Sequence, residues 1–290
     1  MYEMELEFFC KDKKFPFFIQ YGYHSGNFFP HVHKDFTELV LVLDGTAEHV
    51  VGTESYLLSK GDVFVVGKNT VHNLKNAQEF VPCNIMFHKD FFFDSLFQLK
   101  ESAGFHALFY LEPFLTKEYE FKSRLKLTYS EYKIIFPLLD KMMNEYQKKT
   151  VGWKEMIQSY FLELVVSLSR KYQIPTEPEQ SKVLLIANAS SYMEKNFKKE
   201  LNIDELSKMA CLSNRHFSRI FKETYKITPM QYVLKLRILY AADLLKNTTD
   251  TITDIALESG FLDQNYFSRC FKNYYQLSPS EYRKNIQILF

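Results

Sequence analysis

His216-Phe217-Ser218-Arg219-Ile220-Phe221-Lys222 returns 50 residues later as Tyr266-Phe267-Ser268-Arg269-Cys270-Phe271-Lys272, with five of the seven positions identical. The correspondence continues downstream, pairing Tyr225 with Tyr275, Pro229 with Pro279 and Tyr232 with Tyr282. Upstream the spacing slips by one residue, so that Leu206 answers Ile255, Cys211 answers Gly260 and Leu212 answers Phe261. One residue of difference in a turn between two helices produces that slip. Repeats this short cannot each bury a core, so the two copies are expected to pack as one unit.

Each copy reads as helix-turn-helix. In the first, Asn202 caps a short helix, Ile203 to Ala210, Cys211-Leu212 turns, and Ser213 caps a second helix, Asn214 to Tyr225. Phe217, Ile220 and Phe221 fall at i, i+3 and i+4 and face inward, which leaves Asn214, Arg215, Ser218, Arg219 and Lys222 facing out. In the second copy Thr253 is expected to cap Asp254 to Ser259, Gly260 to turn, and Asp263 to open the next helix. There Phe267, Cys270 and Phe271 face inward, and Gln264, Asn265, Ser268, Arg269 and Lys272 face out. Arginine, asparagine, glutamine and serine are the side chains that read base edges, and Lys222 and Lys272 suit phosphates. The bland alternative is a helical bundle with solvated polar faces. Two matched copies joined by one long helix, capped by Thr228 with Pro229 at its first position and running to about Lys246, favour a nucleic-acid reader.

The stretch from Ile203 to Tyr282 resembles the DNA-binding domain of the arabinose-regulator (AraC) family of bacterial transcription factors. The residues that carry the resemblance include Ala210, Ser213, Phe217, Arg219, Phe221, Lys222, Pro229, Tyr232, Arg237, Ala241 and Leu245. They continue with Ile255, Ala256, Gly260, Phe261, Phe267, Arg269, Phe271, Lys272, Pro279 and Tyr282. Cys211 departs from the pattern, where many members carry glycine, and implies a slightly different first turn. The resemblance implies double-stranded promoter DNA as a partner, with helix-turn-helix units at about 203–225 and 253–275.

The N-terminal part reads as strands near Phe17–Tyr23, Glu38–Leu43, Ala47–Val51, Glu54–Leu58, Asp62–Val66, His72–Leu74 and Cys83–His88. Asp44-Gly45 and Val51-Gly52-Thr53 read as hairpin turns. Many short strands at this spacing suggest a barrel or jelly roll. His31-x-His33, Glu38, Gly45, Gly61-Asp62, Gly67, Asn69 and His72 resemble the two motifs of the cupin barrel, with Gly67 where many cupins carry proline. Two histidines at i and i+2 point to one face of a strand. Glu38 and His72 from neighbouring strands could complete a divalent metal site of three nitrogens and one oxygen. The same residues could instead bind one another or a small molecule at the barrel mouth, which is the favoured expectation. Tyr21, Tyr23, His24 and Phe28 are read either as core or as an aromatic wall suited to a sugar. His49, His88 and His106 have no matching partners and read as structural histidines. Phe91–Asp94 is expected to open a short helix and Phe121–Leu127 to form a strand, with the excess of Phe serving as core.

Two amphipathic helices follow, the first capped by Ser130 with Pro137 inside it, the second after Thr150-Val151-Gly152. They read as an antiparallel hairpin, which in the family it resembles often makes a dimer contact; covering the barrel is the alternative. Pro175 to Gln180 reads as an extended linker, after which Ser181 caps a helix from Lys182 to about Asn196. The expected domains are 1–127, a cupin-like effector-sensing barrel; 128–174, the dimerising hairpin; 175–181, the linker; and 182–290, the DNA-binding domain. The fold class is α+β.

The bulk numbers agree with two domains in 290 residues. From Lys182 onward, 16 Lys and Arg face 11 Asp and Glu; of the 36 and 35 in all, the earlier part holds 20 and 24. A basic C-terminal part beside an acidic N-terminal one suits a nucleic-acid binder with a separate sensor. Cys10, Cys83, Cys211 and Cys270 have no paired spacing and read as reduced, buried thiols in a cytoplasm. Neither an apolar signal nor a membrane-length run is present. The expectation is a cytoplasmic, homodimeric transcription regulator, not an enzyme, which answers a small-molecule effector and engages RNA polymerase without requiring a cofactor; the resemblance implies an activator, the commoner kind in that family, with a repressor as the alternative. Two rivals remain: a metal-dependent cupin enzyme with a nucleic-acid-binding appendage, and an architectural DNA-binding protein without an effector.

Overall fold

Two long strands form the spine of the N-terminal unit: β5, Thr37–Val51, and β8, Val71–Phe87, which pair antiparallel along most of their length. Our computed structural model describes residues 2–52, 54–93, 97–118, 125–174 and 178–287, in two units, Met1–Ala187 and Asn188–Phe290. Around the spine lie β1 (Tyr2–Met4), β2 (Phe17–Tyr21), β3 (His24–Gly26), β4 (His31–His33), β6 (Glu54–Ser59), β7 (Asp62–Val66) and β9 (Leu125–Lys126). The order is β1-β4-β8-β5-β7-β9; β2 and β3 also pair with β8, and β6 pairs with β5. Only β1 with β4 is parallel among the described pairs.

Asp44-Gly45 is not a hairpin turn. The chain runs straight through it, and the register of β5 against β8 shifts at Val42–Asp44, Asp44–Thr46 and Thr46–Glu48. Gly45 takes φ +73, and a Cβ there would stand 2.1 Å from the Glu79 carbonyl oxygen. Glycine here serves a bulge, not a reversal, which is the second use of a positive φ in a strand. The expected strands on either side of it are therefore halves of β5, and His72–Leu74 and Cys83–His88 are parts of β8. The turn at Gly52 does join paired strands, β5 and β6.

Short helices follow the strands: α1 (Lys89–Phe93), α2 (Phe97–Lys100), α3 (Ala103–His106) and, after a π-helical turn at Ala107–Leu111, α4 (Glu112–Glu118). Of the strand expected at Phe121–Leu127, only β9 falls among the described residues. The hairpin consists of α5, Tyr129–Lys148, and α6, Trp153–Tyr172. Thr128, not Ser130, caps α5: its hydroxyl accepts from the Glu131 N–H while the Glu131 carboxylate accepts from the Thr128 N–H. Glutamate three residues on makes Thr128 the better cap, because both orphan donors are then satisfied. Phe161 of α6 packs its ring against Phe17, Phe87 and Phe92 at centroid distances of 5.6, 4.9 and 5.1 Å. Phe15, Phe93, Phe105 and Phe109 extend the cluster, all fully buried. The phenylalanine excess is core, and it fastens the hairpin to the strands.

α7, Pro178–Asn196, runs across the boundary between the two units at Ala187 and Asn188; it begins three residues before Ser181, so Ser181 does not cap it, and 178–180 of the expected extended linker are helical. Proline suits a first helical position, having no N–H to leave unpaired there; residues 175–177 of the expected linker lie outside the described ones. Then come α8 (Ile203–Met209), α9 (Asn214–Tyr225), α10 (Pro229–Asn247), α11 (Ile252–Glu258), α12 (Gln264–Tyr275) and α13 (Pro279–Gln287). Asn202, Ser213, Thr228 and Asp263 cap as expected. Thr251, not Thr253, caps α11, since its hydroxyl receives the Asp254 N–H. The repeat reproduces one aromatic triad twice. Phe221, Tyr225 and Tyr232 meet at 4.3 to 5.4 Å, and Phe271, Tyr275 and Tyr282 at 4.7 to 5.3 Å. Lys226 and Gln276 end the second helix of each copy in the left-handed conformation.

The two inner turns differ in what their backbones tolerate. Gly260 sits at φ +86, and an added Cβ would lie 2.6 Å from the Lys198 carbonyl oxygen. Cys211 takes φ +54 at an exposed position; the expectation of a buried thiol fails there. Gly260→Ala should cost at least about 2 kcal/mol, while Cys211→Gly should stay within about 1 kcal/mol of neutral. Urea melts of the two variants check this; equal losses would show that the turns are equivalent.

His106 is buried, and its Nε2–H donates to the Lys100 carbonyl oxygen at 2.6 Å. Burial pulls its pKa from 6.5 to about 4. The unfolded chain therefore takes up a proton first, and stability present above about pH 6.5 is lost as pH falls toward 4, at up to about 1.4 kcal/mol per pH unit. His106→Gln keeps a donor without a titrating ring. Its stability should fall less steeply than the wild type between about pH 6.5 and 5, measured by urea titration.

Candidate ligand pocket and nucleic-acid interface

Four imidazoles gather inside the strands. His31 and His33 come from β4, His49 from β5 and His72 from β8, where His31 and His72 are register partners. All four are buried. His72 is the middle of a chain: its Nδ1 lies 3.1 Å from His49 Nε2 and its Nε2 lies 3.2 Å from His33 Nε2. A neutral imidazole has one N–H, so His72 donates to one neighbour and accepts from the other, which gives the whole row a single direction. Glu38 from β5 stands at the edge, its Oε2 3.7 Å from His33 Nε2. Burial depresses His33 to a pKa of about 3, helped by the nearby His31, and holds His72 well below its usual value. Burial likewise raises Glu38 to about 7. The site therefore prefers neutral groups.

The residues fit a divalent metal in part. One nitrogen from each of His31, His33 and His72 lies within 4.8 Å of the others, and metal–nitrogen bonds of about 2.1 Å would draw them slightly closer. His49 would then hold the second nitrogen of His72, the usual arrangement behind a ligating histidine. Glu38 is not one of this tight group, so the fourth expected ligand is the least well placed.

A cavity of about 110 Å³ opens beside the row. His24, His31, Glu38, His49 and His72 line it, with Gln20, Asn84, Phe28, Phe64 and Phe80. Tyr21 and Tyr23 do not. Tyr21 is 38% exposed and donates to Asp140 on α5 at 2.6 Å, and Tyr23 is 68% exposed. Neither is core and neither is wall, because both lie where β2 ends and the chain leaves the sheet. His49, read as a lone structural histidine, is a full member of the site. The signal for it was present: Ala47, His49 and Val51 are the inward positions of one alternating run. His88 lies outside, 3.5 Å from Asp35.

In the C-terminal unit, Phe217, Ile220 and Phe221 are buried under α9, and Phe267 and Phe271 under α12, with Cys270 half-buried. Arg215, Arg219 and Lys222 are exposed on α9, as are Asn265, Arg269 and Lys272 on α12; Ser218 and Ser268 are half-buried. Arg219 lies 3.5 Å from Glu223 one turn on, and Arg269 leans over the Tyr266 ring. Asn214 and Gln264 are exposed but engaged. Ser207 donates to Asn214 Oδ1 at 2.6 Å and the Asn214 amide donates to Asp204, while Thr253 donates to Gln264 Oε1 at 2.8 Å.

Comparison with known proteins accords with both halves. Residues 206–285 match a helix-turn-helix domain family and residues 19–88 match the cupin domain family. The chain is 26% identical over 238 residues to the HTH-type transcriptional activator RhaS of Escherichia coli O6:H1, covering 82% of this chain and 81% of that one. The RhaS of Enterobacter sp. (strain 638) is 26% identical over 237 residues, with the same coverage. A solved AraC-type transcriptional regulator from Chromobacterium violaceum is 31% identical, covering 35% of this chain and 91% of that one, with a TM-score of 0.34. No helix among the described residues is long and apolar enough to cross a membrane. With a cupin domain ahead of two helix-turn-helix units, the chain belongs to the arabinose-regulator (AraC) family of DNA-binding transcriptional regulators.

Proposed function

We propose that this regulator is a cytoplasmic transcription activator that reads promoter DNA with α9 and α12 and answers a small neutral molecule held beside the histidine row. The observation that carries the reading is the duplicated exposure of Arg219 with Lys222 and of Arg269 with Lys272 over identical buried phenylalanines. Arginine pairs with guanine in the major groove and lysine with phosphate. The curated relatives bear the name of transcriptional activators, which supports activation and, with it, an encounter with RNA polymerase. The effector class follows from the cavity. Among its described lining residues there is no lysine or arginine to neutralise an anion, and His33 and His72 resist protonation. Hydroxyl groups can both donate to and accept from imidazole, amide and carboxyl, and aromatic walls suit ring faces, so a sugar is the first class to try. Tyr129 and Ile134, exposed on α5, support a homodimer through the 128–174 hairpin.

Metal-dependent catalysis is the second reading, and the three-histidine group is its support. Elemental analysis of protein purified without added metal separates the two. Less than about a tenth of an equivalent of metal, together with a melting temperature raised by a sugar, is the expected result. A stoichiometric metal whose chelation abolishes ligand binding would remove the metal-free sensor.

Arg219→Ala and Arg269→Ala should each relax preference at particular base pairs, by roughly 1–3 kcal/mol. Lys222→Ala and Lys272→Ala should weaken all sequences alike and flatten the salt dependence by about one phosphate contact. Sequencing duplexes bound from a randomised pool, and affinities across a salt series, check both; an Arg219→Ala protein with unaltered preference would remove α9 as a reading helix.

A further inference from the structure

The two reading helices are fastened at their N-termini by different chemistry. Because the repeat slips by one residue upstream, Asp204, Ser207 and Asn214 of the first copy correspond to Thr253, Ala256 and Gln264 of the second. In the first copy all three join: the Asn214 amide donates to the Asp204 carboxylate, and its carbonyl oxygen accepts from the Ser207 hydroxyl at 2.6 Å. Ser207 is buried, and its one hydroxyl proton is shared between Asn214, the shorter contact, and the Asp204 carbonyl oxygen at 3.1 Å, which keeps it on α8. Both ends of the Asn214 amide are thus committed, one of them to a charge. In the second copy Ala256 has no hydroxyl and Thr253 no charge. Gln264 keeps one bond, from Thr253 to its carbonyl oxygen, and its amide nitrogen has no protein partner among the described residues. That bond is neutral and exposed, of the kind that exchanges readily for water or another acceptor. A charge-assisted bond with a second partner does not.

We infer that Asn214 is a positioning residue, which locks α9 onto α8 and leaves base reading in the first unit to Arg215 and Arg219, whereas Gln264 is a base-reading residue of the second. The side chains look equivalent in the repeat, and both are of the type that pairs with adenine; their neighbours divide the roles. The inference rests on the assignment of α9 and α12 as reading helices.

The test uses the full chain and duplexes that the wild type selects from a randomised pool. Asn214→Asp sets two carboxylates against each other and should weaken binding to every selected duplex by roughly ten-fold. Asp204→Asn combined with Asn214→Asp exchanges donor and acceptor at constant charge. It should restore affinity to within about three-fold with base preferences unchanged. Gln264→Ala should relax preference at one or two base pairs and leave the rest of the selected sequence intact. The inference is overturned if the exchange restores nothing, if Asn214→Asp alters preference at particular base pairs, or if Gln264→Ala leaves every preference in place. Arg219→Ala and Arg269→Ala, run beside them, separate the levels: unchanged preference in both removes the DNA-reading assignment, and the inference with it.

Discussion

The buried phenylalanine pairs Phe217 with Phe221 and Phe267 with Phe271 are the contacts on which the C-terminal unit depends. A helix of twelve residues is marginal in water by itself, and α9 and α12 are each twelve residues long. They persist because one face is fully buried, and that same burial decides which residues face out. The triads Phe221–Tyr225–Tyr232 and Phe271–Tyr275–Tyr282 carry the restraint onward into α10 and α13. A reader of DNA needs side chains presented from a rigid backbone, since each loosely held contact loses rotamer freedom on binding. Packing on the far side of the helix thus sets the quality of the face that meets the ligand.

The N-terminal unit applies the opposite logic. Its polar side chains point inward, and their burial makes them neutral donors and acceptors in place of charges. The bulge in β5 is what makes the arrangement complete. Glu38 and His49 are an odd number of residues apart on one strand, so an unbroken pleat would send them to opposite faces. The net register shift around Gly45 brings both to the cavity. Phe161, set among Phe17, Phe87 and Phe92, joins the same strands to the helical hairpin.

Much of this was legible from the residues. The 50-residue repeat located both helix-turn-helix units and their inward faces, because helix periodicity is enforced by burial and burial leaves an apolar signature. The His-x-His pair lies on β4 with both rings buried, in keeping with the alternation that turns i and i+2 to one face. The errors have a common source in local ambiguity. Thr251 and Thr253, or Thr128 and Ser130, are chemically equal candidates, and the choice rests on which hydroxyl meets an N–H three residues on. Asp44-Gly45 has the composition of a turn but lies where two long strands already pair, so the sheet overrides it. His49 carries no motif and is recruited only by its neighbours in space. The engagement of Asn214 by Asp204 and Ser207 depends on a contact between two helices that no outward-face count can show.

Leu262 is the residue that the second turn has and the first lacks, and it is 95% exposed. It follows that the two units are homologous without being interchangeable parts. An engineer who transplants residues 214–225 for 264–275 exchanges only what lies beyond the caps Ser213 and Asp263, and each helix keeps the entry of its new host. A transplant that includes the turn changes the chain length between helices as well. Moving the second helix alone parts Asn214 from Asp204 and Ser207 on α8. Chimaeric regulators built on this scaffold therefore have a natural seam ahead of the first helix of each unit, so that first helix, turn and second helix move together.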